Sequence, residues 1–304
     1  MGIRKISVYA AAGLTSVALV ASLTAQVMAA TTIGLGTAAS FSVLAGTAVT
    51  NVPPSSIEGD VGLSPASGSF YSGITDAQVG GNIYAVDGFG PAGSITNPGL
   101  LTTAKNDLTA AYIEADNRTP NQTFAAADNQ LGGQTLTTGV YAFGHGTTAN
   151  LTAAQPLVLD AEGNPDAAFI FQASSDLVTA SGSVVQLING AQACNVFWQV
   201  TSSATLGTGS TFVGTIMALT SNTITSGATI NGRILSRNGA VTLDSDTITS
   251  SACSTEAPDD SDTGGDEGGT GGGSGSSGGA QAVPGVPNTS RSSSSIPKAF
   301  TTSL

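Results

Sequence analysis

The sequence predicts an all-β fold, a solenoid coiled at about eighteen residues per turn, with one long helix packed alongside. Three observations predict it. The C-terminal part repeats every eighteen residues, the repeat alternates apolar residues with Thr, Ser or Gly, and a single segment breaks that alternation with helical spacing.

The repeat is visible when the chain is written in rows of eighteen. Ser203–Thr220 reads SATLGTGSTFVGTIMALT and Ser221–Asn238 reads SNTITSGATINGRILSRN. The row from Gly239 begins GAVTLDSDTITSS. Leu206 stands over Ile224, Phe212 over Ile230 and Ile248, Gly214 over Gly232, and Ile216 over Ile234. Thr211, Thr229 and Thr247 form another column, as do Thr205 and Thr223. Eighteen residues are too few for a helix pair or a propeller blade. They suit three short strands with glycine at the corners. Leu206, Phe212 and Ile216 then point inward and stack on their equivalents. Thr205 and Thr211 point outward, because neighbours in a strand alternate faces. Coils about 4.8 Å apart turn an outward column into a ladder of hydroxyls.

The exception is the segment 98–117, where Leu101, Ala104, Leu108, Ala111, Tyr112 and Ala115 recur at helical spacing. Asn97 suits the N-cap, Pro98 the first helical position, and Pro120 stops the run. The helix is expected along a side of the solenoid. The Gly-rich stretch 64–95 reads as an irregular cap, since an open coil exposes unpaired strand edges.

The two ends differ from this body. Residues 1–30 read as an export signal: Arg4 and Lys5, an apolar run from Val8 to Leu23, and small residues around Val27-Met28-Ala29. The mature chain is expected to begin near Ala30 and to be secreted, with no membrane segment left. Residues 256–304 are acidic and rich in Gly and Ser, the composition of a flexible linker. Val286-Pro-Asn-Thr-Ser290 faintly resembles a wall-sorting pentapeptide, which leaves surface attachment open. One domain remains, 31–255.

Charge narrows the choice of partner. The only cations of that domain are Lys105, Arg118, Arg233 and Arg237. Four cations cannot neutralise a run of phosphates, which excludes nucleic acid, and anionic polysaccharide is disfavoured for the same reason. Cys194 and Cys253 are the sole cysteines. In an exported chain an even count suggests one disulfide, with two free thiols as the alternative.

Catalysis finds little support. Hydrolysis of a glycoside needs two carboxylates about 5 to 9.5 Å apart, and the acids are scattered apart from Asp244 and Asp246, read as a solvated turn. His145, between two glycines, has no nucleophile at a recognisable spacing. Trp198 could form a sugar-stacking platform, but it shares a column with Ile216 and Ile234, and at least one of Phe197 and Trp198 is expected in the core. We therefore expect no catalytic residues, no metal and no cofactor.

Phe41-Ser-Val-Leu-Ala-Gly46, Ile57-Glu-Gly-Asp-Val-Gly62, Ala168-Phe-Ile-Phe-Gln172, Asn195-Val-Phe-Trp-Gln-Val200, Ala204-Thr-Leu-Gly-Thr-Gly209 and Asn238-Gly-Ala-Val-Thr-Leu243 resemble, in that order, the microbial ice-binding (antifreeze) proteins. The resemblance covers about residues 33 to 255. It implies a discontinuous right-handed β-solenoid of triangular section, with an N-terminal coil inserted among the C-terminal ones. It also implies adsorption to ice through a Thr-(Ala/Gly)-x-Thr/Asn face, which inhibits ice growth and recrystallisation. Thr208-Gly-Ser-Thr211 and Thr47-Ala-Val-Thr50 fit that pattern, and Ser226-Gly-Ala-Thr229 is a variant. Asp244-Ser-Asp-Thr247 departs from it. With the repeat columns, the expected ice-binding residues are Thr47, Thr50, Thr205, Thr208, Thr211, Thr223, Ser226, Thr229 and Thr247, on a monomer. The rival is a surface adhesin or glycan-binding module on the same scaffold.

Overall fold

The structure is a computed structural model that describes residues 30–250, 252 and 253. Residues 1–29, which fall in the segment expected to be an export signal, and the acidic tail lie outside the described residues.

Three sheets of parallel strands form the three faces of a solenoid. The first face runs, in spatial order, through Ile95–Thr96, Ile83–Ala85, Asp60–Leu63, Phe41–Ala45, Thr229–Ser236, Thr211–Ala218, Val196–Val200, Phe169–Ala173, Gly139–Phe143 and Gln122–Phe124. The second runs through Ala149–Leu151, Leu177–Thr179, Ala204–Leu206, Asn222–Ile224, Val241–Asp244, Val49–Val52 and Tyr71–Ser72. The third holds Thr135–Leu136, Leu157–Asp160 and Val185–Ile188. It continues through the starts of the two eight-residue strands, then Thr247–Thr249 and Ser56–Ile57.

The eighteen-residue register holds where the sequence showed it. Thr211 pairs with Thr229, Phe212 with Ile230, Gly214 with Gly232 and Ile216 with Ile234. The glycines mark where these long strands bend from the third face onto the first. Gly214 has φ +109°, and a Cβ there would sit 2.7 Å from the Val196 carbonyl oxygen. At Gly232 it would sit 1.9 Å from the Gly214 carbonyl oxygen. No other residue lets neighbouring coils approach so closely.

The order of strands is discontinuous. The first described strand, Phe41–Ala45, lies midway beside Thr229–Ser236, and from it the chain proceeds to one end of the stack. It then crosses through the helix and resumes at Gln122–Phe124, the far edge of the first face. The last C-terminal coil closes against the first N-terminal one, with Val49–Val52 on Val241–Asp244 and Ile57 on Ile248. The N-terminal coil is therefore stacked on the C-terminal series, not inserted among its coils. Residues 64–95 also differ from the expected irregular cap. Tyr71–Ser72, Ile83–Ala85 and Ile95–Thr96 pair in register and continue the stack. One-turn 3-10 segments at Gly68–Phe70 and Asp76–Gln78 vary the coil length there, which hides the period.

Inside, aliphatic columns alternate with an aromatic stack. Trp198 is fully buried, its ring 4.0 Å from that of Phe171 and 5.0 Å from that of Phe212. Its indole N–H donates to the Val213 carbonyl at 2.9 Å, so the polar handle of a buried tryptophan is satisfied.

The helix spans Pro98–Asp116, and the Asn97 side chain accepts from the Leu100 amide at 3.0 Å. Its apolar stripe packs on outward residues of the first face: Leu44, Leu235, Met217, Phe197, Ile170 and Val140. That is why both sides of those strands are apolar. Gln172 caps the helix end by donating to the carbonyls of Ala115 and Arg118, at 2.7 and 2.8 Å. Midway along the helix the Lys105 ammonium donates to the carbonyls of Ser236 and Arg237, at 2.6 and 2.5 Å. Burial, with Arg237 nearby, pushes Lys105 down to about 8. Cys194 and Cys253 form a disulfide with Cα atoms 5.5 Å apart.

Candidate functional site

The helix covers the first face, which leaves the other two for contact with a partner. The nine residues singled out in the sequence divide between them. Thr50, Thr205 and Thr223 lie on the second face, while Thr211, Thr229 and Thr247 lie on the third beside Ser56. The division has a local cause. Between Thr205 and Thr211 the chain turns a corner at Gly207–Ser210, where Gly209 takes φ +64°. Thr208 and Ser226 sit on that corner, and Thr47 lies at the opposite border of the second face, before Val49. Spacing of six along the chain is thus not spacing along one strand.

The second face is the broader. Along it Thr205 pairs with Thr223, Thr223 with Thr242, and Thr242 with Thr50, an unbroken ladder four coils long. Their hydroxyls make no hydrogen bond to the described residues and are left to water. Two residues before each threonine stand Ser203, Ser221, Ala240 and Ala48, and two residues after stand Gly207, Thr225, Asp244 and Val52. All are partly or fully exposed, and Asp244 alone is charged. The flanking columns hold themselves in place. Ser221 accepts from the Ala240 amide at 3.1 Å, and the Thr225 hydroxyl donates to the Leu206 carbonyl at 2.7 Å. Val178, 39% exposed, extends the ladder at one end, and Phe70, 58% exposed, stands at the other beyond Ala48.

Thr242 was missed in the sequence because the register slips by one residue. Asn222 pairs with Val241, nineteen residues on, whereas Thr229 pairs with Thr247, eighteen on. The corner before Val241 is one residue longer and the next one shorter. A strict eighteen-residue row puts Val241 in the threonine column. Matching Ile224 to Leu243, the inward pair, would have corrected it.

The third face is narrower. Thr211, Thr229, Thr247 and Ser56 are exposed, but the two eight-residue strands pass the inward Phe212 and Ile230 and then bend toward the first face at Gly214 and Gly232. Beside this ladder Val213 is buried, and Glu58 brings a carboxylate that accepts from the Ser250 amide at 3.0 Å.

Asp244 and Asp246 part company. Asp244 faces out, whereas Asp246 is 1% exposed and not in a solvated turn. Its two oxygens accept from the amides of Ala228 and Asp244, at 2.9 and 2.8 Å. Burial pushes its carboxyl up to about 6, against these two bonds. A carboxylate engaged this way holds a corner in shape and is turned away from solvent. His145 is exposed between glycines. Among the described residues no group of His, Cys, Asp or Glu could hold a metal ion, and no helix is long and apolar enough to cross a membrane.

These features define a β-solenoid that offers a rigid, nearly uncharged hydroxyl surface. The chain belongs to the Ice-binding-like family, whose model matches residues 43–249. It is 44% identical to an ice-binding protein of Nostoc sp. over 73% of this chain and 75% of that one. It is 38% identical to an ice-binding protein of Flavobacterium frigoris, over 71% and 76%. Among solved structures it is similar to an ice binding protein from an Antarctic biological consortium, with TM-score 0.65 and 37% identity over 74% of this chain and 94% of that one. An ice-binding protein from an Arctic yeast matches with TM-score 0.64 and 31% identity, over 74% and 96%.

Proposed function

We propose that this protein is exported, adsorbs to ice through its second face, and thereby inhibits ice growth and recrystallisation without catalysing a reaction. The observation that carries the reading is the ladder Thr205–Thr223–Thr242–Thr50, aligned by strand pairing and flanked by Ser, Ala, Gly, Thr and Val with one carboxylate, Asp244. Small side chains at matched positions of successive parallel coils give an even surface. Their methyl groups and free hydroxyls order a layer of water without the tight hydration shell of a charge. Such a layer can merge with the lattice of ice. The side chains are already fixed, so adsorption loses little conformational entropy, and many weak contacts suffice. Between adsorbed molecules the ice front must curve, which makes growth unfavourable.

Export rests on the basic, apolar and small-residue pattern of residues 1–30, and the tail after the domain suits a linker. Sequencing the N-terminus of protein recovered from culture fluid tests the first. The principal test is thermal hysteresis and recrystallisation inhibition by the mature body. Ice shaping with a freezing gap supports the proposal. An inactive, folded protein would favour the adhesin or glycan-binding alternative.

A further inference from the structure

We propose that Asp244 limits the ice-ordering surface, and that neutralising this one side chain strengthens adsorption. The inference rests on the reading of the second face given above. Asp244 lies two residues after Thr242 on the same strand, both pointing outward, and it pairs with Val52 of the adjacent N-terminal coil. One coil the other way the matching position is Thr225, and beyond it Gly207. A single carboxylate therefore interrupts an otherwise uncharged column beside the central ladder.

A carboxylate accepts hydrogen bonds from several waters at once and orients them all by their hydrogens. That pattern opposes a lattice in which each water donates two bonds and accepts two. Because the charge lies near the middle of the face, its hydration reaches both Thr242 and Thr225. The side chain of Asp244 is not needed for the corner. Its structural contribution is through its backbone: the amide donates to Asp246 at 2.8 Å, and the carbonyl accepts from the Gly227 amide at 2.9 Å. The carboxylate itself takes only the Ser245 hydroxyl, at 3.1 Å. The nearby buried Asp246 is also relieved of a like charge when Asp244 is neutralised.

The experiment compares thermal hysteresis of the mature body with D244N, D244T, D244E and D116N at equal molar concentration. Asp116 is exposed on the helix that covers the first face, so D116N changes net charge by the same amount away from the ladder. D244N and D244T are expected to widen the freezing gap, with D244T at least equal to D244N. D244E and D116N are expected to stay at the wild-type value. Thermal unfolding by circular dichroism checks the fold, and D244N, which keeps an acceptor for Ser245, decides if D244T is unstable. Folded D244N with an unchanged or smaller gap overturns the inference, as does an equal gain from D116N. A wild type with no gap at all instead removes the reading on which the inference rests.

Discussion

Thr242 and Thr50 are paired residues on adjacent strands, although they come from opposite ends of the domain. Their pairing carries the hydroxyl ladder across the seam where the last C-terminal coil meets the first N-terminal one. The face is continuous only if that seam is closed.

Ser55 is the polar link inside the seam. Its hydroxyl donates to Asn51 Oδ1 at 2.6 Å and accepts from the Asp246 amide at 3.0 Å, and it is buried. Ser55→Ala leaves both partners without it, which costs about 1–3 kcal/mol of stability. Urea unfolding of the mature body should show a lower midpoint, and an unchanged midpoint would contradict the role given to this link.

Asp246 makes the seam sensitive to pH. Its carboxyl stands at about 6 in the folded chain against an ordinary value of 3.8. The folded state therefore holds this proton more tightly than the unfolded state does. The contribution to stability is present below 3.8 and is lost as pH rises through about 6. The whole effect is on the order of 3 kcal/mol at most. Asp246→Asn loses one acceptor and is less stable at pH 4. Its unfolding free energy should then fall less than the wild type's between pH 4 and 6. Parallel curves for the two proteins would refute the assignment.

Gln172 ties the helix to the sheet. Gln172→Leu removes the donor that caps the Ala115 and Arg118 carbonyls in a buried setting. The expected loss is about 2 kcal/mol, since buried acceptors are left unpaired. Amide hydrogen exchange in the last helical turn should accelerate, and unaltered exchange would show that the cap is idle.

Much of this was legible in the chain itself. Phe212 over Ile230, Gly214 over Gly232 and the stripe Leu101–Ala115 gave coil length, core and helix, because inward packing enforces strict columns. The division of the threonines was not legible. Thr205 and Thr211 share a row and the same alternation, and only the turn at Gly209 puts them on different faces. Thr242 was hidden by a one-residue slip, since corners tolerate insertions that stacked core residues do not. Asp246 looked solvated because burial of a carboxylate depends on two backbone amides, and these have no sequence signature.

On the proposed function the second face, and not the third, meets ice. This is tested most directly by paired substitutions, Thr223→Tyr and Thr229→Tyr, with thermal hysteresis and ice-crystal shape measured at equal concentration. Both side chains point outward, so a ring at either position leaves the core packing undisturbed. Thr223 lies in the middle of the four-rung ladder, and a ring there lifts the surface off a flat plane. Thr223→Tyr is expected to abolish ice shaping and Thr229→Tyr to retain it, with both variants folded by circular dichroism. Loss of activity in Thr229→Tyr together with full activity in Thr223→Tyr would contradict this choice of face.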